Sequence, residues 1–307
     1  MQKTKDSTTK YTVDKIINIS KESAKNINKL TIEGDRKNTS LEKVDLSKFI
    51  NLEELKIENM TLKEQDISKI NSIKTLKKLA LVLSNISDKA FKELSNNKNI
   101  ESLYIANCPI SANALKHIAS MSNIKKLTLT ANWLRASDME VISDMNNLEV
   151  LNISLNEVWN IWCQYISKME NLQKLFLDSC KVGIGGVRNI SKLDNLIYLG
   201  IETPALEWAY RLGPEGAKII WKMINLKVVN LNGNEIWDEW VEYLTNIKWI
   251  RALYLTWNKI TDDWIKKIKD LKELKILDLR NNYITKLGLK IIKDNLELKE
   301  LHINNQF

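Results

Sequence analysis

Aliphatic residues recur along this 307-residue chain in a fixed unit: one aliphatic residue, two variable residues, a second aliphatic, one variable residue and a third aliphatic. The spacing between copies is 24 residues, except from Leu196 to Leu226, where it is 30. Ile27 begins an additional early copy, 25 residues before the next. Self-similarity at a fixed period indicates a repeat architecture whose units stack on their neighbours. The first aliphatic residues of the regular copies are Leu52, Leu76, Ile100, Ile124, Leu148, Leu172, Leu196, Leu226, Ile250, Leu274 and Leu298.

Each copy predicts one short strand followed by one helix. Alternating aliphatic residues are typical of a strand that is buried on one face. We number register positions by counting residues after the first aliphatic of a copy. Position 8 is Asn, Cys or Ser in most copies, and we expect its side chain to turn inward and serve neighbouring backbone groups. Residues such as Ser87 and Thr261 then provide N-caps for the helix.

The segments LKILDLRNNYITKLGLKII and LKVVNLNGNEI resemble the leucine-rich-repeat family, whose signature is LxxLxLxxN. GPEGAKII, from Gly213 to Ile220, resembles the helical half of the ribonuclease-inhibitor-like and bacterial GALA-type subclass. The resemblance implies an α/β fold, a curved leucine-rich-repeat solenoid of about 11–12 repeats of 24 residues. Parallel strands would line its concave face and helices its convex face. It also implies recognition of a macromolecule, although a fold does not fix the partner.

The chain divides into two predicted parts. Residues 1–24 are expected to form an N-terminal cap with a short helix around Val13 to Ile19, and residues 25–307 the repeat array. A six-residue insertion near 203–211 should form a short ordered protrusion on the strand-to-helix edge. The chain stops at Phe307, just after its last strand, which would leave an edge for pairing with a second copy.

Tryptophan is confined to one part of the array. All ten tryptophans lie from Trp133 to Trp264. Positions 11 and 14 carry small residues in most copies, but position 14 is tryptophan in three copies and position 11 is tryptophan in two of those three. Residues three apart on a helix share a face, so we expect two aromatic walls with a trough over the glycine-bearing copies between them. The predicted binding residues of this edge are Trp133, Trp159, Trp162, Gly183, Gly186, Trp208, Tyr210, Trp237, Trp240, Trp257 and Trp264.

Two other interpretations stay open for these aromatic residues. A tryptophan at a helix start could fill the volume above a glycine of the neighbouring copy, which would make it a packing residue. Replacement of GxxG by WxxW in separate copies also suggests the hypothesis of recent selection or deliberate engineering. The concave face is a second candidate surface, and there an ordinary solvated sheet face is the alternative. Its outward aromatic residues are Tyr104, Phe176, Tyr198 and Tyr254.

Composition argues against several classes of function. Lys and Arg exceed Asp and Glu, 46 against 38, but the excess is spread along the chain and disfavours a specific nucleic-acid site. Cys108, Cys163 and Cys180 do not make a disulfide framework. We expect the first and third to be buried structural thiols and Cys163 to be more accessible. His117 and His302 lie far apart in the repeat order, so no metal, cofactor or catalytic nucleophile is expected.

The sequence therefore predicts a non-enzymatic scaffold that binds a protein or peptide through the tryptophan-lined edge, the concave face or both. The alternative is a small apolar, aromatic or carbohydrate ligand in the trough, although no cluster of amides and carboxylates for sugar hydroxyls is evident around the indoles. A homodimer through the C-terminal strand or the tryptophan patch is a further expectation. The sequence shows no bilayer-spanning segment and no signal peptide. A cytoplasmic location is expected, with secretion the alternative if a leader was removed.

Overall fold

The computed structural model describes residues 9–35, 39–239, 243, 247–268 and 271–304, apart from the side chains of residues 136, 139 and 205. Two compact units divide the chain. Unit 1 comprises Met1–Leu134 and unit 2 comprises Arg135–Phe307. Each unit consists of the predicted strand-and-helix copies, which confirms the α/β leucine-rich-repeat fold.

Unit 1 contains a parallel sheet in the order β1-β2-β3-β5-β7-β8, and β4 pairs separately with β6. The leucines at register position 3 lie opposite one another, as Leu55, Leu79, Leu103 and Leu127 do. The strands are β1 (Thr9–Thr12), β2 (Lys29–Glu33), β3 (Glu54–Glu58), β4 (Thr61–Leu62), β5 (Lys78–Val82), β6 (Asn85–Ile86), β7 (Ser102–Ala106) and β8 (Lys126–Thr130). The helices are α1 (Val13–Ile17), α2 (Lys21–Lys25), α3 (Glu64–Asn71), α4 (Asp88–Leu94) and α5 (Ala112–Ala119), with a 3₁₀ helix at Leu46–Lys48.

Unit 2 contains a parallel sheet in chain order from β9 to β15. The strands are β9 (Val150–Asn152), β10 (Lys174–Phe176), β11 (Tyr198–Gly200), β12 (Val228–Asn230), β13 (Ala252–Tyr254), β14 (Ile276–Asp278) and β15 (Glu300–His302). The described helices are α6 (Met139–Ile142), α7 (Trp159–Ile166), α8 (Ile184–Ile190), α9 (Gly213–Ile220), α10 (Asp262–Ile265) and α11 (Lys286–Asn295), with 3₁₀ helices at Ala136–Asp138 and Ala205–Tyr210. Pairing of two copies through β15 stays a prediction.

The N-terminal segment contains a strand that the sequence pattern does not reveal. β1 pairs in parallel with β2, with Thr9 opposite Leu30. The predicted short helix follows as α1, with Val13 and Ile16 buried. This segment therefore adds one strand to the sheet of unit 1, beside the first repeat.

Register position 8 is buried and bonded to the backbone, as expected. The Asn258 side-chain oxygen accepts hydrogen bonds from the backbone N–H groups of Asn234 (3.1 Å) and Ile236 (2.9 Å), and its amide nitrogen donates to the carbonyl oxygen of Leu231 (2.9 Å). The Cys108 thiol donates to the Ala106 carbonyl oxygen at 3.3 Å. These side chains supply the hydrogen bonds that a tightly turning chain cannot make to itself.

All three cysteines are buried. For Cys108 and Cys180 this confirms the prediction, but the expectation that Cys163 is more accessible is wrong. Burial raises the pKa of the Cys163 thiol to about 12, and burial also raises the pKa of Cys180 and Cys108. Cys163 follows a buried residue of α7 and lies under the next helix, because Gly186 lets α8 approach its sulfur closely.

No helix in the described part of the chain has the length and apolar character needed to cross a bilayer. Within the same residues, no three His, Cys, Asp or Glu side chains form a group that could hold a metal ion. His117 lies on α5 and His302 on β15.

Candidate binding edge

The predicted tryptophans of the strand-to-helix edge fall into two groups. Trp133 in unit 1 and Trp159, Trp208, Trp237 and Trp257 in unit 2 are exposed. Trp162 and Trp264 are fully buried, so neither can contact a ligand at the surface, and their prediction as binding residues is wrong. Trp240 lies outside the described residues.

Trp162 and Trp264 are packing residues at register position 14. In both cases the next copy carries glycine at the same position, Gly186 and Gly288 respectively. The glycines do not leave room for these indoles, however, because the atoms nearest to an added Cβ belong to other residues: Val182, Asn160 and Cys163 at Gly186, and Asp262 and Ile284 at Gly288. Neither indole N–H has a hydrogen-bond partner among the described residues, so apolar contacts hold both rings.

Gly183 and Gly186 do not form the floor of an open trough. Both are buried, and their backbone N–H groups donate to the side-chain oxygen of Asn160, at 2.8 and 3.0 Å. A Cβ added at Gly186 would lie 2.6 Å from a methyl carbon of Val182 and 2.9 Å from the Cys163 sulfur. The absent side chain of Gly186 therefore allows close packing of α8 on α7, whereas a Cβ at Gly183 would meet no atom closer than 3.8 Å. Because both glycines are buried, the binding prediction for both is wrong.

Trp159 does not pair with Trp162 because its backbone is not helical. Trp159 begins α7 with φ +60°, so the three-residue spacing does not place the two indoles on one face. The Trp159 ring packs edge-on against Tyr210, with 5.6 Å between ring centroids, and the Lys181 ammonium lies 5.2 Å from its centroid. An aromatic neighbour and a cation thus hold this exposed ring in place.

Five large apolar residues combine exposure with a left-handed backbone, and we name them the left-handed edge residues. Their exposed fractions and φ angles are Leu83 (57%, +49°), Trp133 (69%, +55°), Leu155 (57%, +60°), Trp159 (42%, +60°) and Trp257 (68%, +58°). Bulky L-residues rarely adopt this conformation, which costs roughly 1–2 kcal/mol each. At position 7, the register of Leu83, Leu155 and Trp257, other copies carry residues that adopt it more readily, namely Asn59, Asn107, Gly233 and Asn281, and at position 11, the register of Trp159, one carries Gly213. At position 9, the register of Trp133, the other left-handed residues are Lys181 and Glu235.

Charged residues at register position 9 form ion pairs along the same edge. Glu157 and Lys181 approach to 2.5 Å. Glu235 contacts both Arg211, at 2.5 Å, and Lys259, at 3.3 Å. Burial raises the pKa of the Glu235 carboxyl, but the two cations outweigh that effect and hold its pKa below the usual value. Glu235 therefore stays ionised near neutral pH.

Lys259 also contacts an indole. Its ammonium lies 5.3 Å from the centroid of the Trp237 ring, and the two residues are paired by an isolated parallel bridge. Exposed pairs of this kind contribute about 0.5–1 kcal/mol, enough to orient a ring but not to bury it.

A cleft of about 670 Å³ lies on this edge within unit 2, and we name it the edge cleft. Trp257 is the only one of the predicted tryptophans among its lining residues. The rest of its lining consists mainly of charged and polar side chains together with Pro204 and Tyr283, and it includes the buried amide of Asn258 and the half-buried amide of Asn282. The residues that bound the edge cleft are Glu202, Arg211, Glu235, Trp257, Lys259 and Tyr283.

The insertion forms one wall of the edge cleft. As expected it is an ordered protrusion, a 3₁₀ helix at Ala205–Tyr210 that bends at Glu207. Both ends of the insertion bond to Asn234, whose side-chain oxygen accepts from the Thr203 hydroxyl (3.0 Å) and from the Leu212 backbone N–H (3.1 Å). Trp208, 73% exposed, lies on the protrusion, away from the residues that line the cleft.

Two of the concave-face aromatic residues are partly buried against each other. The rings of Phe176 and Tyr198 lie 4.2 Å apart, and burial raises the pKa of Tyr198 to about 12. Tyr254 is half-buried, whereas Tyr104, in unit 1, is exposed beside a pocket of about 280 Å³. Phe176 and Tyr198 therefore use much of their ring surface on each other, which leaves the edge as the stronger candidate in unit 2.

Register position 12 has a role between copies that the sequence pattern does not reveal. Its Asp or Asn side chain accepts the backbone N–H at position 11 of the following copy, at 2.7–2.9 Å. Acidic residues are common in the first turn of any helix, so their occurrence alone does not indicate this contact. The acceptor–donor pairs are Asn160–Gly183, Asp238–Thr261 and Asp262–Thr285.

Comparisons with known proteins agree with the repeat pattern. Residues 246–267 match the family model described as Leucine Rich repeat. An internalin from Listeria monocytogenes is 19% identical, with 96% of this chain and 94% of that chain covered and a TM-score of 0.56. A leucine-rich-repeat protein from Leptospira interrogans is also 19% identical, with 96% and 83% covered and a TM-score of 0.51. These similarities show the fold alone, and no curated protein sequence matches the chain.

Proposed function

We propose that this chain, which has the leucine-rich-repeat fold, binds a peptide segment of a protein partner through the strand-to-helix edge of unit 2, without catalysis. The single observation that carries the proposal is the three left-handed edge residues of unit 2, Leu155, Trp159 and Trp257. Each one exposes apolar surface and also holds a backbone conformation that suits Asn or Gly better. Exposed apolar patches and residues in unfavourable backbone conformations both tend to occur at binding sites, and these residues combine the two features.

The dimensions of the edge suit a short extended peptide. In unit 2, Trp159 and Trp257 belong to copies that are four strands apart in the sheet. At about 4.8 Å per strand that distance is roughly 19 Å, which an extended chain of about six residues spans. Trp is enriched among the residues that dominate binding energy at interfaces.

The rings of the edge are held before a partner arrives. Tyr210 and Lys181 contact Trp159, and Lys259 contacts Trp237. Side chains that are already held in place lose little conformational entropy on binding. A larger part of the free energy gained by burying their surface therefore contributes to affinity.

Selection from a random peptide library displayed on phage tests the proposal. The edge variant combines Leu155→Asn, Trp159→Gly and Trp257→Asn, each chosen because other copies carry such residues at the same register. Wild-type protein should enrich a shared peptide motif, and the edge variant should bind the selected peptides at least about tenfold more weakly.

Trp249→Ser is the matched control. Trp249 is also an exposed indole, 64% accessible, but it lies in the turn just before β13, whereas Trp257 lies just after that strand. This variant should bind the peptides as the wild type does. Equal binding by the edge variant, or a loss caused by Trp249→Ser, would refute the assignment of the site.

A further inference from the structure

We propose that the edge cleft binds an uncharged oligosaccharide. This inference goes beyond peptide recognition, because it concerns the polar cleft beside the insertion, which shares only Trp257 with the left-handed edge residues. It rests on three features of unit 2: the volume of the cleft, the balance of its charges, and the pairing of aromatic rings with amides and carboxylates.

The cleft has the size of a ligand site. Its volume of about 670 Å³ lies within the range of roughly 300–1,000 Å³ that is typical of small-ligand sites. One wall is the insertion, through Pro204 and Arg211, and the opposite side is lined by residues of the last copies, including Tyr283. Among the regular copies, only the one that begins at Leu196 carries an insertion, so no other copy can supply a wall of this kind.

The charges of the lining cancel. Two carboxylates, Glu202 and Glu235, face two cations, Arg211 and Lys259. Glu235 contacts both cations. A phosphate or an acidic ligand would have to compete with Glu235 for them, and a cation would have to compete with them for Glu235. A ligand without net charge avoids both penalties.

The remaining lining suits hydroxyl groups and the apolar faces of sugar rings. Trp257 and Tyr283 are both exposed at the cleft. The Asn232 amide donates to Glu202 at 3.2 Å, and the Asn304 amide donates to the Asn281 side-chain oxygen at 2.7 Å. Amides and carboxylates fixed in this way present donors and acceptors together, as sugar hydroxyls require because each both donates and accepts.

The amide and carboxylate cluster that sugar binding requires is therefore present around one indole. It lines the same cleft as Trp257, and it is contributed by five successive copies, from the one that begins at Leu196 to the one that begins at Leu298. Only the stacking of copies brings these residues together, so their spacing along the chain does not reveal the cluster.

A printed array of neutral, sialylated and sulfated glycans, followed by calorimetric titration with maltotriose, cellotriose and tri-N-acetylchitotriose, tests the inference. Wild-type protein should bind at least one neutral class. Trp257→Asn keeps a residue that suits the left-handed backbone, and it should weaken binding at least about tenfold. Trp249→Ser, in the turn before β13, should change affinity by less than about twofold. Raising the salt concentration should leave affinity unchanged, because no net charge is neutralised.

Three results would overturn the inference: binding of no neutral glycan, binding confined to sialylated or sulfated glycans, or equal binding by Trp257→Asn. Enrichment of peptides by the wild type without any glycan binding would overturn this inference alone and leave the peptide proposal standing. Folding of Trp257→Asn is checked independently by its far-ultraviolet circular dichroism and thermal transition, so that loss of binding is not mistaken for unfolding.

Discussion

Replacing Trp162 with alanine should lower the free energy of unfolding by about 3–5 kcal/mol. The indole is fully buried in α7, and its removal leaves a cavity between repeats that stack only on their neighbours. Since the indole N–H has no hydrogen-bond partner among the described residues, nearly all of the loss comes from apolar contact. Trp162→Phe, which refills part of the volume, should recover part of the loss.

Equilibrium unfolding in urea, followed by circular dichroism, measures this effect. Trp249→Ala removes an indole of equal size that is mostly exposed, and it should change the free energy of unfolding by less than about 1 kcal/mol. If both variants lost the same amount, burial would not be what distinguishes the two tryptophans, and the assignment of Trp162 to the core would fail.

Replacing Asn234 with alanine should destabilise unit 2 by about 2–4 kcal/mol, because it leaves several buried backbone groups without a partner. The Asn234 side chain is fully buried and donates to the carbonyl oxygens of Ile201 (2.6 Å) and Asn232 (3.0 Å). Its oxygen accepts from Thr203 and Leu212, at the two ends of the insertion. The same substitution should therefore loosen the insertion and weaken any binding at the edge cleft.

Hydrogen exchange separates the two effects of Asn234→Ala. Amides of residues 203–212 should lose protection more than amides in the strands of unit 2. Asn225→Ala is the control, since Asn225 is exposed and makes one hydrogen bond, to the carbonyl oxygen of Asp194. It should cost less than about 1 kcal/mol. Unchanged protection of the insertion in Asn234→Ala would show that other contacts hold it.

The strands, the inward position 8 and the helix caps could be predicted because each depends on residues within one copy. Leu55 and Leu79 are buried since a period of two places them on one face. Ser87 and Thr261 cap their helices, accepting from Ala90 (3.1 Å) and Asp263 (3.2 Å), since a hydroxyl at that point meets free N–H groups. Because the same pattern recurs in most copies, each assignment is supported by several independent stretches of sequence.

The site could be predicted only in part, because it depends on backbone conformation and on contacts between copies. The i, i+3 argument for Trp159 and Trp162 assumed helical geometry at both residues, but Trp159 is left-handed and Trp162 points into the core. Glycine at positions 183 and 186 has two physical explanations: the two residues could form the floor of an open trough, or they could let two neighbouring helices pack closely. The sequence could not decide between them without the position of Asn160.

The central claim is that the left-handed edge residues are retained for binding and not for stability. The most direct test is the urea-unfolding midpoint of the edge variant with Leu155→Asn, Trp159→Gly and Trp257→Asn, measured beside the wild type. Relief of left-handed strain, roughly 1–2 kcal/mol per residue, should offset the lost contacts of these exposed side chains. The account predicts a midpoint equal to that of the wild type or higher. A fall as large as that of Trp162→Ala would place these side chains among the stabilising contacts of the repeats and contradict it.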